Sequence, residues 1–321
     1  MNEEFLQALD AHSHIGVISH FRPDGDAIGS TLAMGLALRA QGFFNEDGMM
    51  KRFAFLEGSE LVETVPVERP ADMNMLICLD TGDWKRIGDR AMHAFAETPC
   101  VVNIDHHETN KRYGHINIVE DAAAACGFVL YRMFREMDWS ITPAVATALY
   151  TAISTDTGSF SAHHHETTPA VMRAAADLME CGVDVMGVNA HLYDEEPLGG
   201  VIVRREVLNN MVLEEGGALV HYSMDAGTRE RFGAGWEETK DLVEDIRAIQ
   251  NVKIAAIFDD LENGVIRVSP RSKDARVSVA EIAARFGGGG HTLAAGIRMK
   301  GTLADCRRSV PDAIRAALRH P

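Results

Sequence analysis

The chain has 321 residues, with 31 Lys and Arg against 47 Asp and Glu, which gives a formal net charge of −16 at pH 7. The length favours two domains of roughly 150 residues, each able to bury its own core. The negative charge argues against a protein that follows a long nucleic acid duplex, because such proteins neutralise phosphates with Lys and Arg. A short anionic substrate remains compatible, since it has to satisfy only one small site.

Cysteine usage and hydropathy indicate the cellular compartment in which the protein works. The five cysteines are odd in number and form no Cys-x-x-Cys pair, which argues against a disulfide framework and against a thiolate zinc site. No apolar run approaches the ~20 residues of a membrane span, and the first residues lack the basic region of a secretion signal. We therefore expect a cytoplasmic protein without membrane contact.

The first predicted elements place three polar side chains at one junction. In chain order we expect a helix after Asn2, a buried strand over residues 15–20, a loop over 21–30 and a helix over 31–40. His20, Asp24 and Asp26 fall between the strand and the second helix. Asp26 could be a plain helix N-cap. The alternative is a ligand site, because a helix N-terminus beside a strand end collects cations and phosphate.

Two later strands end in the same way. Residues 73–80 and 101–108 are apolar runs that finish in Asp80 and in Asp105–His107. Parallel strands that are buried on both faces read as continuous apolar runs, and open α/β sheets bind ligands at the carboxyl ends of their strands. The pattern predicts a parallel sheet with a functional edge. A histidine-rich surface turn is the other interpretation of the second run.

Helices are predicted after the last strand of this sheet. After residues 116–119, residues 123–137 form one helix, and Thr142-Pro143 begins another that runs towards Asp156. Asp156 lies where that helix gives way to turn residues. Taken alone, it is better explained by an Asx turn than by a ligand role.

The middle of the chain contains a run of three histidines and the expected domain boundary. His163–His165 cannot all point at one ion from a regular element, so we expect a loop there, with a substrate contact left open. A helix is predicted from Thr168-Pro169 to Met179. We expect a first domain over residues 1–187, a connector over 188–205 and a second domain over 206–321.

The second half has a different pattern of elements. They are, in order, a strand over 218–224, a helix over 237–249, an antiparallel strand pair over 252–258 and 264–269 joined near Asn263-Gly264, a helix over 278–286 and a closing helix over 303–318.

A glycine run interrupts this second half at Gly287–Gly290, immediately before His291. Without side chains, Gly288, Gly289 and Gly290 expose backbone amides that can approach a phosphate or a base closely. A flexible linker is the alternative, but strongly patterned elements flank the run. Arg271 and Ser272, at the end of the preceding strand, are the natural partners for an anion held by this loop.

The polar residues at the element ends form one candidate constellation. Its members are His20, Asp24, Asp26, Asp80, Asp105, His106, His107 and Asp156. Imidazole and carboxylate ligands without thiolate suit a manganese-type or magnesium-type site, and the number of acids suggests two cations that share a bridging carboxylate. Two such ions would activate water and neutralise a phosphoryl transition state.

These motifs, in this order, resemble the DHH phosphoesterase family. The resemblance is carried by the segments His20–Asp26, Leu79-Asp80, Asp105–His107 and Thr155–Gly158. Gly287–His291 together with Ala294–Gly296 is similar to the signature of the associated DHHA1 domain. Within the family, the glycine-histidine run and the Arg271-Ser272 pair are most similar to the bacterial nano-RNase and pAp phosphatase branch. Residues 124–128 depart from the Ser/Thr and Glu that this branch commonly shows at a helix start.

The resemblance implies an α/β fold: a doubly wound, mainly parallel sheet in the N-terminal domain, a smaller α/β DHHA1-type domain, and an active site in the cleft between them. One metal would be held by His20, Asp24 and Asp80. The other would be held by Asp26, Asp80, His106 and Asp156. Two divalent cations are implied, Mn²⁺ first, with Mg²⁺ or Co²⁺ as alternatives, and a homodimer is an option.

The remaining site residues also receive roles from the resemblance. Asp105 would orient an imidazole, His107 would face the scissile phosphate, and Asp80 would take part in catalysis as the bridging ligand. In the second domain, Arg271, Ser272 and the loop from Gly288 through Gly289 and Gly290 to His291 would bind the substrate.

The implied activity is hydrolysis of phosphoester bonds. The substrates would be short oligoribonucleotides, cleaved to mononucleotides, and/or 3′-phosphoadenosine 5′-phosphate (pAp), cleaved to AMP. The alternatives are a linear or cyclic dinucleotide phosphodiesterase, a manganese pyrophosphatase, or a nucleotide-binding protein without catalysis. Pyrophosphatases of this type lack the glycine-histidine signature, and a silent protein would be expected to have lost metal ligands.

Overall fold

A computed structural model describes residues 2–161, 167–236, 238–261 and 264–319. The chain divides into two units, Met1–Glu195 and Glu196–Pro321. The histidine run His163–His165 and the turn residue Asn263 lie outside the described residues.

The first unit contains a six-stranded parallel sheet. Its strands are β1 (Ile15–Ile18), β2 (Gly42–Asn45), β3 (Val62–Thr64), β4 (Met75–Leu79), β5 (Cys100–Asp105) and β6 (Ile116–Val119). They lie in the order β3-β2-β1-β4-β5-β6, and every neighbouring pair is parallel. The predicted doubly wound sheet is confirmed. The strand order reverses at β1 and β4, which is the position where such sheets bind ligands.

Helices cover this sheet. They are α1 (Asn2–Ala11), α2 (Gly25–Leu38), α3 (Asp89–Ala94), α4 (Cys126–Glu136), α5 (Pro143–Asp156), α6 (Pro169–Glu180) and α7 (Val185–Asn189). Short 3₁₀ turns span Lys51–Phe53, Ser59–Leu61 and Trp84–Ile87, and a π-helical turn spans Ala190–Asp194. As predicted, α5 and α6 begin with proline, after the capping residues Thr142 and Thr168.

The prediction for the start of α2 was wrong by six residues. The helix begins at Gly25, not at residue 31. Asp24 has an extended backbone and its side chain accepts a 3.0 Å hydrogen bond from the amide of Ala27, so Asp24 is the N-cap. Asp26 therefore lies in the first helical turn, and the N-cap interpretation of Asp26 does not hold.

Both faces of the parallel sheet are buried, which explains its continuous apolar strands. On one face, Ile77 packs in the cluster that includes Ile28 of α2 and Leu149 of α5. On the other face, Leu76 packs with Phe95 in a second cluster. The sheet therefore holds α2 and α5 on a common side.

The second unit contains a mixed six-stranded sheet. Its strands are β7 (Val212–Glu214), β8 (Leu219–Met224), β9 (Ile254–Asp260), β10 (Val265–Ser272), β11 (Gly289–Gly290) and β12 (Ala295–Lys300), in the order β11-β12-β10-β9-β8-β7. Its helices are α8 (Leu198–Asn210), α9 (Thr228–Phe232), α10 (Leu242–Arg247), α11 (Val279–Ala284) and α12 (Leu303–Arg319), with a 3₁₀ turn at Glu215–Gly217. The predicted antiparallel pair, β9 with β10, is confirmed. Among the strands that the structure describes in this sheet, only β8 and β9 are parallel neighbours.

Much of the segment expected to connect the two domains, 188–205, is helical, because a π-helical turn continues α7 and α8 begins after Pro197. The helix expected over 237–249 is short and spans Leu242–Arg247, since the residues just before it form turns.

The two faces of the second sheet have different neighbours. Ile266 and Val268 of β10 lie in the cluster that includes Ile282 of α11 and Val310 of α12. Arg267 and the alternate residues after it face the other side, because successive side chains of a strand alternate. Within the described ranges, no helix is long and apolar enough to cross a bilayer.

Substituting Gly29→Ala is expected to destabilise the protein by about 1–3 kcal/mol, the usual cost of overpacking. A Cβ at Gly29 would lie 2.5 Å from the carbonyl oxygen of Ala148 and 2.9 Å from the Cβ of Ala152, so α2 and α5 would have to separate. Urea unfolding followed by circular dichroism measures the change.

Gly296→Ala is the matched control, because a Cβ there meets nothing within 4 Å. Equal unfolding midpoints for the two variants would show that the α2–α5 contact tolerates an added methyl group.

Candidate metal centre

The parallel sheet brings the predicted acidic and imidazole side chains together. His20 follows β1, Asp80 follows β4, and Asp105 is the last residue of β5. Asp26 comes from the first turn of α2, and Asp156 is the last residue of α5. Three combinations of these side chains place one ligand atom each within 4.8 Å of the others: His20, Asp24 and Asp80; Asp26, His106 and Asp156; and Asp80, His106 and His107.

The first group surrounds His20. The Nε2 atom of His20 lies 3.7 Å from Asp24 Oδ2 and 3.4 Å from Asp80 Oδ2. The other ring nitrogen, Nδ1, donates a 2.9 Å hydrogen bond to the carbonyl oxygen of Phe21. That bond places a proton on Nδ1, so Nε2 is the nitrogen that faces the two carboxylates and would bind a cation, as in a metal-ligating histidine.

The second group surrounds His106. Its Nε2 atom lies 3.2 Å from Asp156 Oδ2, 3.5 Å from Asp80 Oδ1 and 3.7 Å from Asp26 Oδ2. Its Nδ1 atom is 3.2 Å from the carbonyl oxygen of Ala123, which can only accept. The two imidazoles are therefore oriented in the same manner, each by a backbone carbonyl.

Asp80 belongs to both groups. Its Oδ2 atom faces His20, and its Oδ1 atom faces His106. The residue is 2% exposed, and its Oδ1 atom has no hydrogen-bond partner among the described residues. Its backbone φ is +53°, in the left-handed region that non-glycine residues rarely adopt. A buried, unpartnered carboxylate oxygen on a strained backbone is costly unless something compensates it, and a shared cation would do so.

The pKa values of the cluster show that its buried carboxylates retain protons and favour protonated imidazoles. Burial, reinforced by the charge of Asp80, raises the pKa of Asp26 to about 7. Burial and these two acids raise the pKa of Asp156 well above its usual value. Burial alone would lower the pKa of His20, but the carboxylates of Asp24 and Asp80 outweigh it and raise this pKa to about 10. Divalent cations would replace these protons and keep the carboxylates ionised. The residues present therefore fit a divalent metal centre.

His107 has a different environment from His106. Its Nδ1 atom donates a 2.8 Å hydrogen bond to Asp105 Oδ1, and Asp105 is completely buried. Asn110 Nδ2 donates to the other oxygen of Asp105 and also lies 2.8 Å from Asn103 Oδ1. This chain of hydrogen bonds leaves Nε2 of His107 available to an external group. Sequence reasoning missed Asn110, which lies three positions after His107.

Asp26 is held by groups that sequence reasoning also missed. Its Oδ1 accepts hydrogen bonds from Ser30 Oγ at 3.0 Å and from the Gly127 amide at 2.8 Å. Its Oδ2 accepts a 2.6 Å hydrogen bond from the Cys126 amide. The first amides of α4 therefore orient the carboxylate. These contacts come from the backbone, so the unusual side chains at 124–128 do not remove them.

In the second unit, Arg271 Nε lies 2.9 Å from Glu244 Oε1, and its guanidinium also donates to the carbonyl oxygen of Pro270. Gly289, Gly290 and His291 are exposed. Ser272 is 1% exposed, and its hydroxyl bonds the backbone of Asp274. The expected substrate contact of Ser272 is therefore not supported, because a local turn occupies the hydroxyl.

Segments of both units match known family models. Residues 14–153 match the model of the DHH family, N-terminal domain, and residues 217–319 match that of the DHHA1 domain. The bifunctional oligoribonuclease and PAP phosphatase NrnA of Thermus thermophilus is 33% identical, covering 98% of this chain and 93% of the relative. The protein of the same name from Bacillus subtilis is 27% identical, covering 92% of each.

A solved structure shares the fold. An exopolyphosphatase-related protein from Bacteroides fragilis superposes with a TM-score of 0.89 at 22% identity, covering 98% of this chain and 95% of the other.

Substituting Ser30→Ala is expected to weaken divalent-cation binding by about tenfold, because Asp26 loses one of the groups that orient it. Titration with Mn²⁺, followed by electron paramagnetic resonance of the free ion, measures the affinity.

The matched control is Thr31→Val, which removes the neighbouring buried hydroxyl that bonds only the helix carbonyl of Ala27. If both variants bound Mn²⁺ as the unmodified protein does, the Ser30 hydroxyl would have no part in orienting Asp26.

Proposed function

The chain belongs to the DHH phosphoesterase family and carries its DHHA1 domain, and on this basis we propose that it hydrolyses short oligoribonucleotides to mononucleotides and pAp to AMP. The observation that carries the proposal is the convergence of two imidazoles and three aspartates (His20, His106, Asp24, Asp26 and Asp156) on the buried Asp80, whose Oδ1 atom has no hydrogen-bond partner among the described residues. The names of the two relatives support the substrate class.

We assign two divalent cations to the cluster, with Mn²⁺ as the preferred ion. His20, Asp24 and Asp80 would hold one ion, and Asp26, Asp80, His106 and Asp156 would hold the other. The mixture of imidazole and carboxylate donors suits Mn²⁺ better than Mg²⁺, which prefers oxygen alone. When bound, such a pair of ions supplies a nucleophile from water and stabilises the charge that develops on a phosphoryl group.

His107 is assigned to the leaving group. Burial alone would lower its pKa, but the hydrogen bond to Asp105 and the charge of Asp80 raise it. The imidazole therefore holds a proton more readily than in water, and Nε2 can donate it to the departing oxygen. Asp105 and Asn110 keep the ring in the orientation that this transfer requires.

Substrate binding is assigned to Arg271 and to the loop from Gly288 to His291. Arg271 is partly exposed, and its pairing with Glu244 leaves part of the guanidinium for a phosphate. A formal net charge of −16 disfavours long nucleic acid, whereas cations and a local arginine can still capture a short substrate.

Substituting Asp80→Ala is expected to abolish the binding of both cations and to lower phosphoester hydrolysis by at least about 100-fold, because the shared ligand is lost. Metal content by mass spectrometry and phosphate or nucleotide release with Mn²⁺ measure the two effects. Treatment with EDTA should reduce the activity of the unmodified protein as much as the Asp80→Ala substitution does. Addition of Mn²⁺ should restore the activity of the unmodified protein.

The exposed Asp121, in the loop after β6, gives the matched control Asp121→Ala. Mn²⁺-dependent activity close to normal in Asp80→Ala would contradict the assignment of the bridging ligand.

Substituting Arg271→Ala is expected to raise KM for pAp about tenfold with little change in kcat, because one charge-assisted phosphate contact is lost. A generic chromogenic phosphoester, which lacks the second phosphate, should be hydrolysed as before. Steady-state kinetics on the two substrates provides the test.

Arg276→Ala is the control. Arg276 is exposed, and it pairs with Asp274 in the segment that follows β10. An equal loss on both substrates in Arg271→Ala would mean that Arg271 is structural.

A further inference from the structure

The loop that joins His20 to Asp24 is held by three consecutive residues that have no role in the assignment above. Asn45 ends β2, the strand beside β1, and Glu46 and Asp47 follow it. All three side chains hydrogen-bond to backbone groups of other segments, and two of these groups lie in the loop.

The first peptide group of the loop, between His20 and Phe21, is bound on both sides. Asn45 is completely buried, and its Nδ2 atom donates a 2.9 Å hydrogen bond to the carbonyl oxygen of His20. The amide of Phe21 donates a 2.7 Å hydrogen bond to the carbonyl oxygen of Arg86. Because the peptide is planar, it cannot rotate without breaking one of these bonds.

The second peptide group, between Phe21 and Arg22, links a carboxylate to the imidazole of His20. Its amide, from Arg22, donates a 2.5 Å hydrogen bond to Asp47 Oδ2. Its carbonyl oxygen, from Phe21, accepts the 2.9 Å hydrogen bond from His20 Nδ1. Hydrogen bonds in such a chain polarise one another, so the carboxylate strengthens the carbonyl as an acceptor. Asp47 therefore acts on the ring of His20 through a single peptide.

The backbone at Arg22 depends on contacts of this kind. Its φ is +52°, in the left-handed region that non-glycine residues rarely adopt. Such a conformation persists where the surrounding structure holds it, and it occurs most often at functional sites. The hydrogen bond to Asp47 joins residues that are 25 positions apart, so the tertiary structure supplies the support.

The turn that carries Asp47 is fixed as well. The Asp47 amide donates a 3.0 Å hydrogen bond to Asn45 Oδ1, and the Gly48 amide donates a 3.1 Å hydrogen bond to the Asn45 carbonyl oxygen. The two carboxylate oxygens of Glu46 accept hydrogen bonds of 3.0 and 3.1 Å from amides in the first turn of α3. Asp47 is exposed, yet its carboxylate is presented at a defined position.

We infer that Asp47 is a positioning residue for the cation site of His20, Asp24 and Asp80, which we call the His20 site. Through the second peptide group of the loop, Asp47 holds the imidazole so that Nε2 faces the two other ligands. The inference rests on the proposed function, in which His20 binds one of two cations. Loss of a group that orients a metal-bound imidazole typically lowers metal affinity roughly 10- to 100-fold. Asp47 acts one peptide further away, so we expect the lower end of this range.

Titration of the full chain with Mn²⁺, followed by electron paramagnetic resonance of the free ion, provides the first test. In Asp47→Ala, one of the two cations is expected to bind about tenfold more weakly, while the other keeps its affinity. In Asp47→Asn, both affinities should stay within about twofold of normal, because the side-chain oxygen of asparagine still accepts from the Arg22 amide. Equal weakening in the two variants, or unchanged Mn²⁺ binding in Asp47→Ala, would overturn the inference.

A double variant assigns the effect to one site. In a His20→Ala background, which lacks the His20 site, adding Asp47→Ala should leave the affinity for the remaining cation unchanged. The matched single control is Asp184→Ala, because Asp184 is also exposed and also accepts a hydrogen bond from a backbone amide, at the start of α7. A further loss in the double variant, or an equal loss in Asp184→Ala, would show that Asp47 acts on the fold as a whole, against the inference.

A measurement without metal separates this inference from the proposed function. In EDTA, NMR follows the exchange of the His20 Nδ1 proton with water. This proton is expected to exchange about tenfold faster in Asp47→Ala than in Asp47→Asn or Asp184→Ala, because the peptide that carries its acceptor is released. If the unmodified protein bound no Mn²⁺, the proposed metal centre would fail, and the exchange rates would still decide whether Asp47 holds the ring. Equal exchange rates in all variants would refute that role.

Discussion

The concentration of buried negative charge at Asp80 is the constraint on which the first unit depends. Four aspartates approach two imidazoles beside the neighbouring strands β1 and β4, where the strand order reverses, and one oxygen of Asp80 has no hydrogen-bond partner among the described residues. Such a cluster is unfavourable in a low-dielectric interior unless protons or cations compensate it. Binding of divalent cations therefore contributes directly to the stability of the native state, because the unfolded chain offers no comparable site.

Sequence patterns predicted the centre of the first unit better than its periphery. The strands that end in Asp80 and Asp105 are long apolar runs, so they were recognisable, whereas the edge strands β2 and β3 are short and were missed. Sequence reasoning could not decide whether Asp24 or Asp26 caps the helix, because both residues are aspartates and aspartate is a common N-cap. Ser30, Asn110 and the amides of α4 act through contacts between distant segments, which local periodicity cannot reveal.

In the second unit, sequence spacing identified the glycine run but not the function of each glycine. The fold itself requires Gly288 and Gly290, whereas Gly289 and Gly296 lie on open backbone. Only the register of β11 with β12 brings the latter two together. The same limit applies to Ser272, which adjoins Arg271 in sequence but is turned into the protein by the alternation of β10. Adjacent residues of a strand face opposite sides, so a motif of two neighbours contributes one side chain to a surface.

The close approach of α2 and α5 at Gly29 has a consequence for metal selectivity. Asp26 lies on the first of these helices, one turn before Gly29, and Asp156 ends the second. Since the glycine backbone contacts Ala148 and Ala152 directly, the helix spacing fixes how far apart the two carboxylates can sit. Ions with short metal–oxygen distances need a narrower span than calcium, whose bonds are longer and more variable. A residue that supplies no ligand atom thus contributes to the separation of two carboxylates in the candidate metal centre.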